Sequence, residues 1–426
     1  MKTLLKNCVT HRSVLNILIE DEKIAALEPV SDQKISSYDR MIDIGDALVI
    51  PAMIDPHVHV RDLELSYKED WTSASKAALA GGIATIFDMP NTRPATVDRA
   101  SLDLKRKAAE KSLVQYKFYL GATSKNIDIL NEILKDEPED IAGIKVFLAA
   151  SNSNEIIKDR KYLKRIFELA GKFNKIVVVH AELQSCLDIW KVSDLKHNIL
   201  NHNELRNRMS AIEGTKICID AAYEIGNKMS LAHISTQEEI ECISIFKNSD
   251  RIFCELTPHH LLLNSRILSK IGNIGKVNPP LRTAKDNEVL ATAVRLGFVD
   301  YIGTDHAPHT LAEKLQDYES APSGFPGLET ALPVLLTAVR EGTFGLEKMI
   351  EITSGRAAEI FELKNTGEIK VGNYADLAVI DRDVKYKIDP QNFLTKAKYS
   401  PFAAKEVTGK VLKTFVKGKM YECEKL

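Results

Sequence analysis

Short apolar runs alternate with longer amphipathic stretches from about residue 50 onward. We identify eight apolar runs, at 48–54, 83–87, 116–120, 142–149, 176–179, 230–234, 252–256 and 299–303. The stretches between most of them are predicted as helices, for example 66–81, 97–112, 161–173, 213–226 and 236–247. Strands that alternate with helices form parallel sheets, and eight repeats favour a closed barrel. The pattern predicts an α/β protein with a (β/α)8 (TIM) barrel, and an open doubly wound sheet is the competing architecture.

The two ends of the chain show a different pattern. Residues 1–50 and 367–426 both alternate β-like runs with turns. We infer that these ends meet in a small β-sandwich beside the barrel. The predicted domains are the N-terminal part of the sandwich at 1–50, a metal-dependent hydrolase barrel at 51–366, and the C-terminal part of the sandwich at 367–426.

Composition and charge narrow the class of protein. Hydrophobic residues make up 44% and charged residues 27%, which argues against wholesale disorder. The net charge of −2 provides no attraction to nucleic acid or to an anionic membrane. The chain contains six scattered cysteines, no run near the roughly 18 apolar residues of a membrane span, and no apolar segment typical of a signal peptide. We therefore expect a soluble, cytoplasmic protein with reduced thiols.

A pair of histidines follows the first apolar run, in the segment Asp55-Pro-His57-Val-His59. Alternate side chains of a strand share one face, so His57 and His59 point the same way. Two neutral imidazoles at this spacing can bind one divalent metal ion, although two surface histidines would give the same pattern. Their position at the end of the first barrel strand favours the metal site, because catalytic residues of such barrels lie there.

Three more candidate ligands follow other apolar runs. His180 ends the run Ile-Val-Val-Val, His233 lies in Ser-Leu-Ala-His-Ile, and Asp305 follows Asp-Tyr-Ile-Gly-Thr. A single histidine after a strand is more often structural than functional. Four histidines and an aspartate, all at strand ends, favour a metal centre.

Lys145 lies inside the apolar run Ala-Gly-Ile-Lys-Val-Phe-Leu-Ala-Ala, where a lysine is unexpected. One interpretation is that its ammonium reaches solvent or pairs with a carboxylate. Another is that burial lowers its pKa and leaves a neutral amine that adds carbon dioxide to become an anionic carbamate. Charge balance favours the carbamate, since imidazoles do not offset the charge of two dications, whereas a carbamate, Asp305 and a bridging hydroxide offset most of it.

Ten motifs together resemble the amidohydrolase superfamily, specifically its dihydroorotase branch of class I with a lysine carbamate between two metals. In chain order they are DPHVHVRD, DMPNTRP, GIKVFLAA, VVVHAE, LAHIST, TPHHLLL, VNPPLR, GTDHAPHTLAEK, GFPGLETALPVLLTAV and ADLAVID, over about residues 44–418. The resemblance implies a barrel with a β-sandwich, and reversible cyclisation of N-carbamoyl-L-aspartate to (S)-dihydroorotate in de novo pyrimidine (UMP) biosynthesis. The reaction expected is attack on a cyclic amide by a hydroxide that two metal ions activate.

The resemblance also implies the roles of individual residues. It implies two zinc ions, bridged by hydroxide and by carbamylated Lys145, with His57 and His59 at one ion and His180 and His233 at the other. Asp305 is the metal-bound catalytic acid and base. Arg61, Asn91 and His309 are expected to hold the free carboxylate of dihydroorotate, because a guanidinium offers a fork that fits a carboxylate. Further substrate contacts are expected at the positions His59, Asn278, Ser323 and Gly324.

Other functions remain open at this stage. A hydantoinase or allantoinase would have the same metal ligands, but its substrates lack the free carboxylate that the Arg61, Asn91 and His309 set would bind. A non-catalytic partner of aspartate transcarbamoylase would be expected to lack some ligands, and none of the six is missing. We expect a small-molecule substrate and no nucleic-acid or membrane partner, and consider a homodimer or association with aspartate transcarbamoylase. His259 and His260 are interpreted as structural, and 310–326 as a loop at the active site.

Overall fold

The computed structural model describes residues 1–30, 37–136, 138–150, 156–191, 194–246 and 250–426. These ranges contain sixteen strands, which we number in chain order. They are β1 Lys2–Val9, β2 Val14–Glu20, β3 Lys23–Pro29, β4 Arg40–Asp43, β5 Leu48–Pro51, β6 Met53–Val58, β7 Ile83–Asp88, β8 Gln115–Gly121, β9 Ile141–Phe147, β10 Ile176–His180, β11 Met229–Leu231, β12 Ile252–Leu256, β13 Tyr301–Ile302, β14 Leu377–Lys387, β15 Glu406–Val416 and β16 Lys419–Glu422.

The same ranges contain fifteen α-helices. They are α1 Trp71–Ala80, α2 Arg99–Ala109, α3 Ile127–Leu134, α4 Arg160–Lys172, α5 Gln184–Lys191, α6 His202–Leu205, α7 Arg208–Ile225, α8 Gln237–Ser244, α9 Pro258–Leu262, α10 Leu268–Ile271, α11 Ala284–Leu296, α12 Leu311–Lys314, α13 Leu328–Arg340, α14 Leu346–Ile350 and α15 Arg356–Ile360. All five helices predicted from the sequence are present as α1, α2, α4, α7 and α8, with shifted ends.

Eight parallel strands, β6 to β13, form a barrel. They lie side by side in chain order, and every pairing between neighbours is parallel. The first and last strands meet through a parallel bridge between Val58 and His306, and the His59 amide donates to the His306 carbonyl oxygen at 2.8 Å. This order and the closing contact confirm the predicted (β/α)8 barrel, since a doubly wound sheet would reverse its strand order.

A second sheet combines the two ends of the chain, as the sequence predicted. Its order is β16, β15, β14, β5, β1, β2 and β3, and β4 also pairs with β1 in parallel. These strands and the turns that join them enclose an apolar core of their own, which includes Leu5, Ile17, Val49, Leu377 and Phe415. The domain bounds after residues 50 and 366 remain predictions.

The prediction of one strand over 48–54 is wrong in one respect. Residues Leu48–Pro51 form β5, which pairs with β14 of the second sheet, and Met53 begins the barrel strand β6. Both halves are buried, so the apolar run has no polar residue that would mark the transfer from one sheet to the other. In the described ranges, no helix has both the length and the apolar character that crossing a bilayer requires.

Candidate active site

The predicted metal ligands converge at the carboxyl ends of the barrel strands. His57 lies near the end of β6, Lys145 in β9 and His180 at the end of β10, while His233 and Asp305 follow β11 and β13 closely. All of them are buried. His233 and Asp305 have left-handed backbones, with φ of 42° and 47°. Such left-handed angles are uncommon for residues with a Cβ.

A first group of ligands consists of His57, His59 and Asp305. The Nε2 atoms of His57 and His59 lie 3.4 and 3.1 Å from Oδ1 of Asp305. Nitrogen and carboxylate oxygen atoms of all three lie within 4.8 Å of one another, close enough to bind one ion. The predicted pair of His57 and His59 therefore forms one cluster with Asp305.

Hydrogen bonds on the far side of each ring determine which nitrogen faces this cluster. Nδ1 of His57 lies 2.7 Å from Oε1 of Glu255, and Nδ1 of His59 lies 2.6 Å from Oδ1 of Asn91. Both rings therefore carry their proton on Nδ1, so their Nε2 lone pairs face the Asp305 carboxylate. Burial lowers the pKa of His59 to about 3, which keeps that ring neutral. Lone pairs directed at a carboxylate oxygen fit a cation between them.

His180 and His233 form a second group. Nδ1 of His180 lies 3.0 Å from Nε2 of His233, and Nε2 of His180 lies 2.9 Å from Oε2 of Glu182. Glu182 is itself paired with Arg206, and these charges keep the pKa of Glu182 well below its usual range despite burial. The carboxylate accepts the hydrogen bond from the Nε2–H of His180, which leaves the Nδ1 lone pair facing His233. The rings of His57 and His233 are 5.3 Å apart, so the two groups are adjacent.

Lys145 lies close to both groups and is completely buried, with 0% of its surface exposed. Its Nζ has no hydrogen-bond partner among the described residues, and it lies 5.2 Å from the centre of the Phe147 ring. Burial lowers its pKa to about 8, although the charges of Glu255 and Asp305 oppose that shift. Neither interpretation of an exposed or ion-paired ammonium is therefore correct. A buried amine without a partner, beside two histidine groups, fits conversion to a metal-bridging carbamate.

A small cavity opens onto both histidine groups. Its lining includes five of the predicted substrate residues, namely His59, Asn91, Asn278, Ser323 and Gly324, together with Phe147. Segment 310–326, predicted as a loop, contains the short helix α12 and supplies Ser323 and Gly324. The structure therefore brings these predicted contacts to the metal cluster.

Arg61 and His309 lie beside this cavity. Nη2 of Arg61 is 3.2 Å from Nε2 of His309. Nε2 of His309 also lies 3.1 Å from the carbonyl oxygen of Ser323. The His309 amide donates to the Tyr399 hydroxyl at 3.2 Å, so a segment that follows β14 supports the loop. Arg61 has a left-handed backbone, with φ of 67°.

The sequence analysis missed the buried carboxylates Glu255 and Glu182. Glu255 lies in the apolar strand β12 and accepts from both the His57 ring and the His233 amide. A charged residue inside an apolar strand was a signal that could have revealed it, as it did for Lys145. Gly303 lies against this carboxylate, because a Cβ there would come within 2.8 Å of both Glu255 and His57. Only glycine allows such a close approach of the last barrel strand.

His259 and His260 lie outside both groups, as the sequence analysis assumed. The His260 ring interacts with the Thr257 hydroxyl and the Pro279 carbonyl oxygen at 2.8 and 3.0 Å. The His259 ring packs against Phe325, with 4.8 Å between the ring centres.

Comparisons with known proteins agree with this geometry. Dihydroorotase from Methanosphaera stadtmanae is 35% identical over 422 residues, which cover 97% of this chain and 95% of that protein. Dihydroorotase from Carboxydothermus hydrogenoformans is 33% identical and covers 94% of this chain and 95% of its own length. Among solved structures, L-hydantoinase (dihydropyrimidinase) from Arthrobacter aurescens is similar, with a TM-score of 0.92, 28% identity, and coverage of 98% of this chain and 95% of that chain.

The sequence profile of the Amidohydrolase family matches residues 48–421, which include the whole barrel and about half of the second sheet. That family description, the near-full-length relatives and the strand-end histidines all lead to one conclusion: the chain belongs to the amidohydrolase family, whose members are metal-dependent hydrolases.

Proposed function

We propose that this chain is a dihydroorotase, which interconverts N-carbamoyl-L-aspartate and (S)-dihydroorotate. The names of its relatives and the cluster of His57, His59 and Asp305 support a hydrolase that acts on a cyclic amide. The choice of substrate depends on a different observation, which is that the guanidinium of Arg61 is buried without an anionic partner among the described residues.

Arg61 is 3% exposed, and no carboxylate in the described part of the chain forms an ion pair with it. Its Nε donates to the Pro308 carbonyl oxygen at 3.2 Å, and its Nη2 faces His309. Burial of a guanidinium without an anion is unfavourable, and burial lowers the pKa of this group. An anionic ligand beside the metal cluster would remove that cost. Dihydroorotate provides a ring carboxylate, whereas hydantoin and allantoin do not.

The residues also fit two divalent metal ions, which we propose to be zinc. His57 and His59 would hold one ion, His180 and His233 the other, and carbamylated Lys145 would bridge them, with Asp305 at the first. Bound divalent ions lower the pKa of water from 15.7 to about 7 and polarise the amide carbonyl. The carbamate forms when Nζ of Lys145 adds carbon dioxide and releases a proton, which gives an anion of the charge that the site needs.

In the proposed hydrolysis, Asp305 moves the proton. Its carboxylate lies 3.1 Å from His59 Nε2 and 3.4 Å from His57 Nε2, within the cluster and at the edge of the cavity. The divalent ion that this group would hold also favours its ionised form. Asp305 is therefore a carboxylate, able to accept a proton from the attacking water and transfer it to the ring nitrogen as the carbon–nitrogen bond breaks. Cyclisation reverses these steps.

A hydantoinase or allantoinase is the second candidate, and the high TM-score with L-hydantoinase favours it. A non-catalytic scaffold is disfavoured because both histidine groups and Lys145 are retained. A homodimer, association with aspartate transcarbamoylase, a cytoplasmic location and the domain bounds given above remain predictions.

A substrate comparison tests the proposal. The chain would be reconstituted with zinc and bicarbonate, and its rates measured with dihydroorotate, N-carbamoyl-L-aspartate, hydantoin and allantoin. We expect activity with the first two, and a preference over the carboxylate-free rings of roughly tenfold or more, the magnitude of a charge-assisted hydrogen bond. Faster turnover of hydantoin or allantoin than of dihydroorotate would refute the assignment.

A further inference from the structure

Lys68 lies behind the predicted carboxylate site and has no role in the function described so far. Its side chain is 11% exposed, between the short 3-10 helix at Leu63–Leu65 and α1. Nζ lies 2.8 Å from Oε1 of Glu313, so it is an ammonium, and it lies 3.0 Å from Nδ1 of His309. The Lys68 ammonium therefore lies at Nδ1 of the His309 ring, whereas Arg61 lies at Nε2 of the same ring.

This contact decides which nitrogen of His309 carries the proton. An ammonium has only donors, so Nδ1 of His309 must be the acceptor. The neutral ring then carries its proton on Nε2, where the Ser323 carbonyl oxygen lies 3.1 Å away and can accept it. Burial, followed by the charges of Arg61 and Lys68, keeps the pKa of His309 well below its ordinary value, which agrees with a neutral ring.

The position of Arg61 follows from this tautomer. With the proton on Nε2 of His309, the Nη2 of Arg61, 3.2 Å away, faces a second donor instead of a lone pair. Because the Nε2–H of His309 is donated to Ser323, the ring offers no acceptor to Arg61, and the Nη2–H of Arg61 remains available to an anionic oxygen. The opposite tautomer would let the ring accept from Arg61 and would occupy that donor internally.

We propose that Lys68 is a positioning residue of the carboxylate site. By donating to Nδ1 of His309, it keeps Nε2 protonated, so the ring cannot accept from Arg61 and the Nη2–H of Arg61 stays free for the carboxylate of the substrate. This inference rests on the proposed function and extends it, because it explains how the tautomer of His309 keeps a donor of Arg61 free for the substrate.

A competing explanation is that Lys68 only pairs with Glu313. The Glu313 carboxylate also accepts from the Thr310 amide at 2.9 Å and so caps α12. The variant Glu313→Gln keeps the contact between Lys68 and His309 and removes the charge of the ion pair. If the ion pair is what matters, this variant and Lys68→Met will have the same defect.

The experiment compares four variants with the wild type in steady-state hydrolysis of dihydroorotate. Lys68→Met removes the donor at similar length, Lys68→Arg restores a donor, and Glu313→Gln tests the ion pair. Lys164→Met is the matched control, because Lys164 pairs with Glu224 on the surface between α4 and α7, away from the cavity. Melting temperatures would be measured for all of them.

We expect Lys68→Met to raise KM about tenfold or more while kcat stays within about threefold, because the carboxylate lies away from the bond that breaks. Lys68→Arg should recover most of this loss, and Glu313→Gln and Lys164→Met should stay near the wild type. An unchanged KM in Lys68→Met would overturn the proposal, and so would equal defects in Lys68→Met and Glu313→Gln.

Two further readouts keep the test decisive. In 15N spectra of histidine-labelled protein, we expect the His309 signal to report the Nε2–H tautomer in the wild type and in Lys68→Arg, but not in Lys68→Met. The same tautomer in Lys68→Met would contradict the proposal even if that variant were less stable. If the wild type itself does not hydrolyse dihydroorotate, the proposed function fails, whereas active wild type with an unaffected Lys68→Met refutes only this inference.

Discussion

Replacement of Glu255 by glutamine tests how the metal cluster is held. Oε1 of Glu255 accepts from Nδ1 of His57 at 2.7 Å and from the His233 amide at 3.0 Å, so one oxygen orients a residue of each histidine group. Glutamine keeps the size and an acceptor but removes the negative charge that makes the His57 ring a stronger ligand. Loss of such a carboxylate partner typically weakens metal binding by about 10- to 100-fold, or roughly 1.4–2.7 kcal/mol.

The structure adds a second cost to the same substitution. Oε2 of Glu255 is buried and has no hydrogen-bond partner among the described residues. The amide nitrogen of glutamine at that place would be a buried donor without an acceptor, which costs about 1–3 kcal/mol of stability. We therefore expect both a lower melting temperature and weaker metal binding in Glu255→Gln.

Competition with a calibrated chelator at 25 °C, on protein that circular dichroism shows to be folded, measures metal affinity separately from stability. Glu329→Gln is the matched control, because Glu329 is a partly buried carboxylate that also accepts two hydrogen bonds, from the amides of Leu394 and Thr395. We expect the control to bind metal as the wild type does. Wild-type affinity in Glu255→Gln, within about twofold, would refute the argument that this carboxylate strengthens the ligands.

Three further predictions follow from the same contacts. Lys145→Met should lose activity by orders of magnitude, because the bridging anion is gone, and full activity in this variant would exclude a carbamate. Reconstitution of the wild type without carbon dioxide should lower the metal content measured by atomic absorption. Asp305→Asn should also reduce kcat by orders of magnitude and remain folded by circular dichroism, and more than half of wild-type activity would rule out its role as acid and base. Burial raises the pKa of Glu329 to about 7, so the stability that its protonated form contributes is complete below the unfolded-state pKa near 4.5 and is lost as pH rises to about 7. The free energy of unfolding of Glu329→Gln relative to the wild type should therefore shift in favour of the variant by up to a few kcal/mol between pH 5 and 8, and a constant difference would contradict the raised pKa.

The sequence could reveal the candidate metal ligands because each belongs to a local pattern. His180 directly ends an apolar run, and His57 and His59 alternate along a strand, so a few neighbouring residues suffice to place them. Lys145 was visible for the same reason, as a charge inside an apolar run. These patterns report which face and which end of a strand a side chain occupies, and in a parallel barrel that is enough to bring them together.

The residues that orient the ligands could not be predicted in this way. Glu255 and His57 are 198 residues apart in the chain, and Lys68 and His309 are 241 apart. No local pattern connects the members of such pairs, because their contact exists only after the barrel has closed. Helix starts show a milder form of the same problem. The prediction for α1 began at residue 66, whereas the side chain of Asp70 caps the helix and makes Trp71 its first residue.

The closing contact of the barrel explains why the first motif contains an aspartate before its histidines. Asp55 is fully buried in β6, and its carboxylate accepts from the Thr304 amide at 3.0 Å and from the Thr304 hydroxyl at 2.6 Å. The last strand, β13, has only two residues, so this side chain takes the place of a longer ladder between the first and last strands. Thr304 immediately precedes Asp305, and Asp55 is two residues before His57. This contact across the closure of the barrel therefore also holds the segment that carries Asp305 against the strand that carries His57.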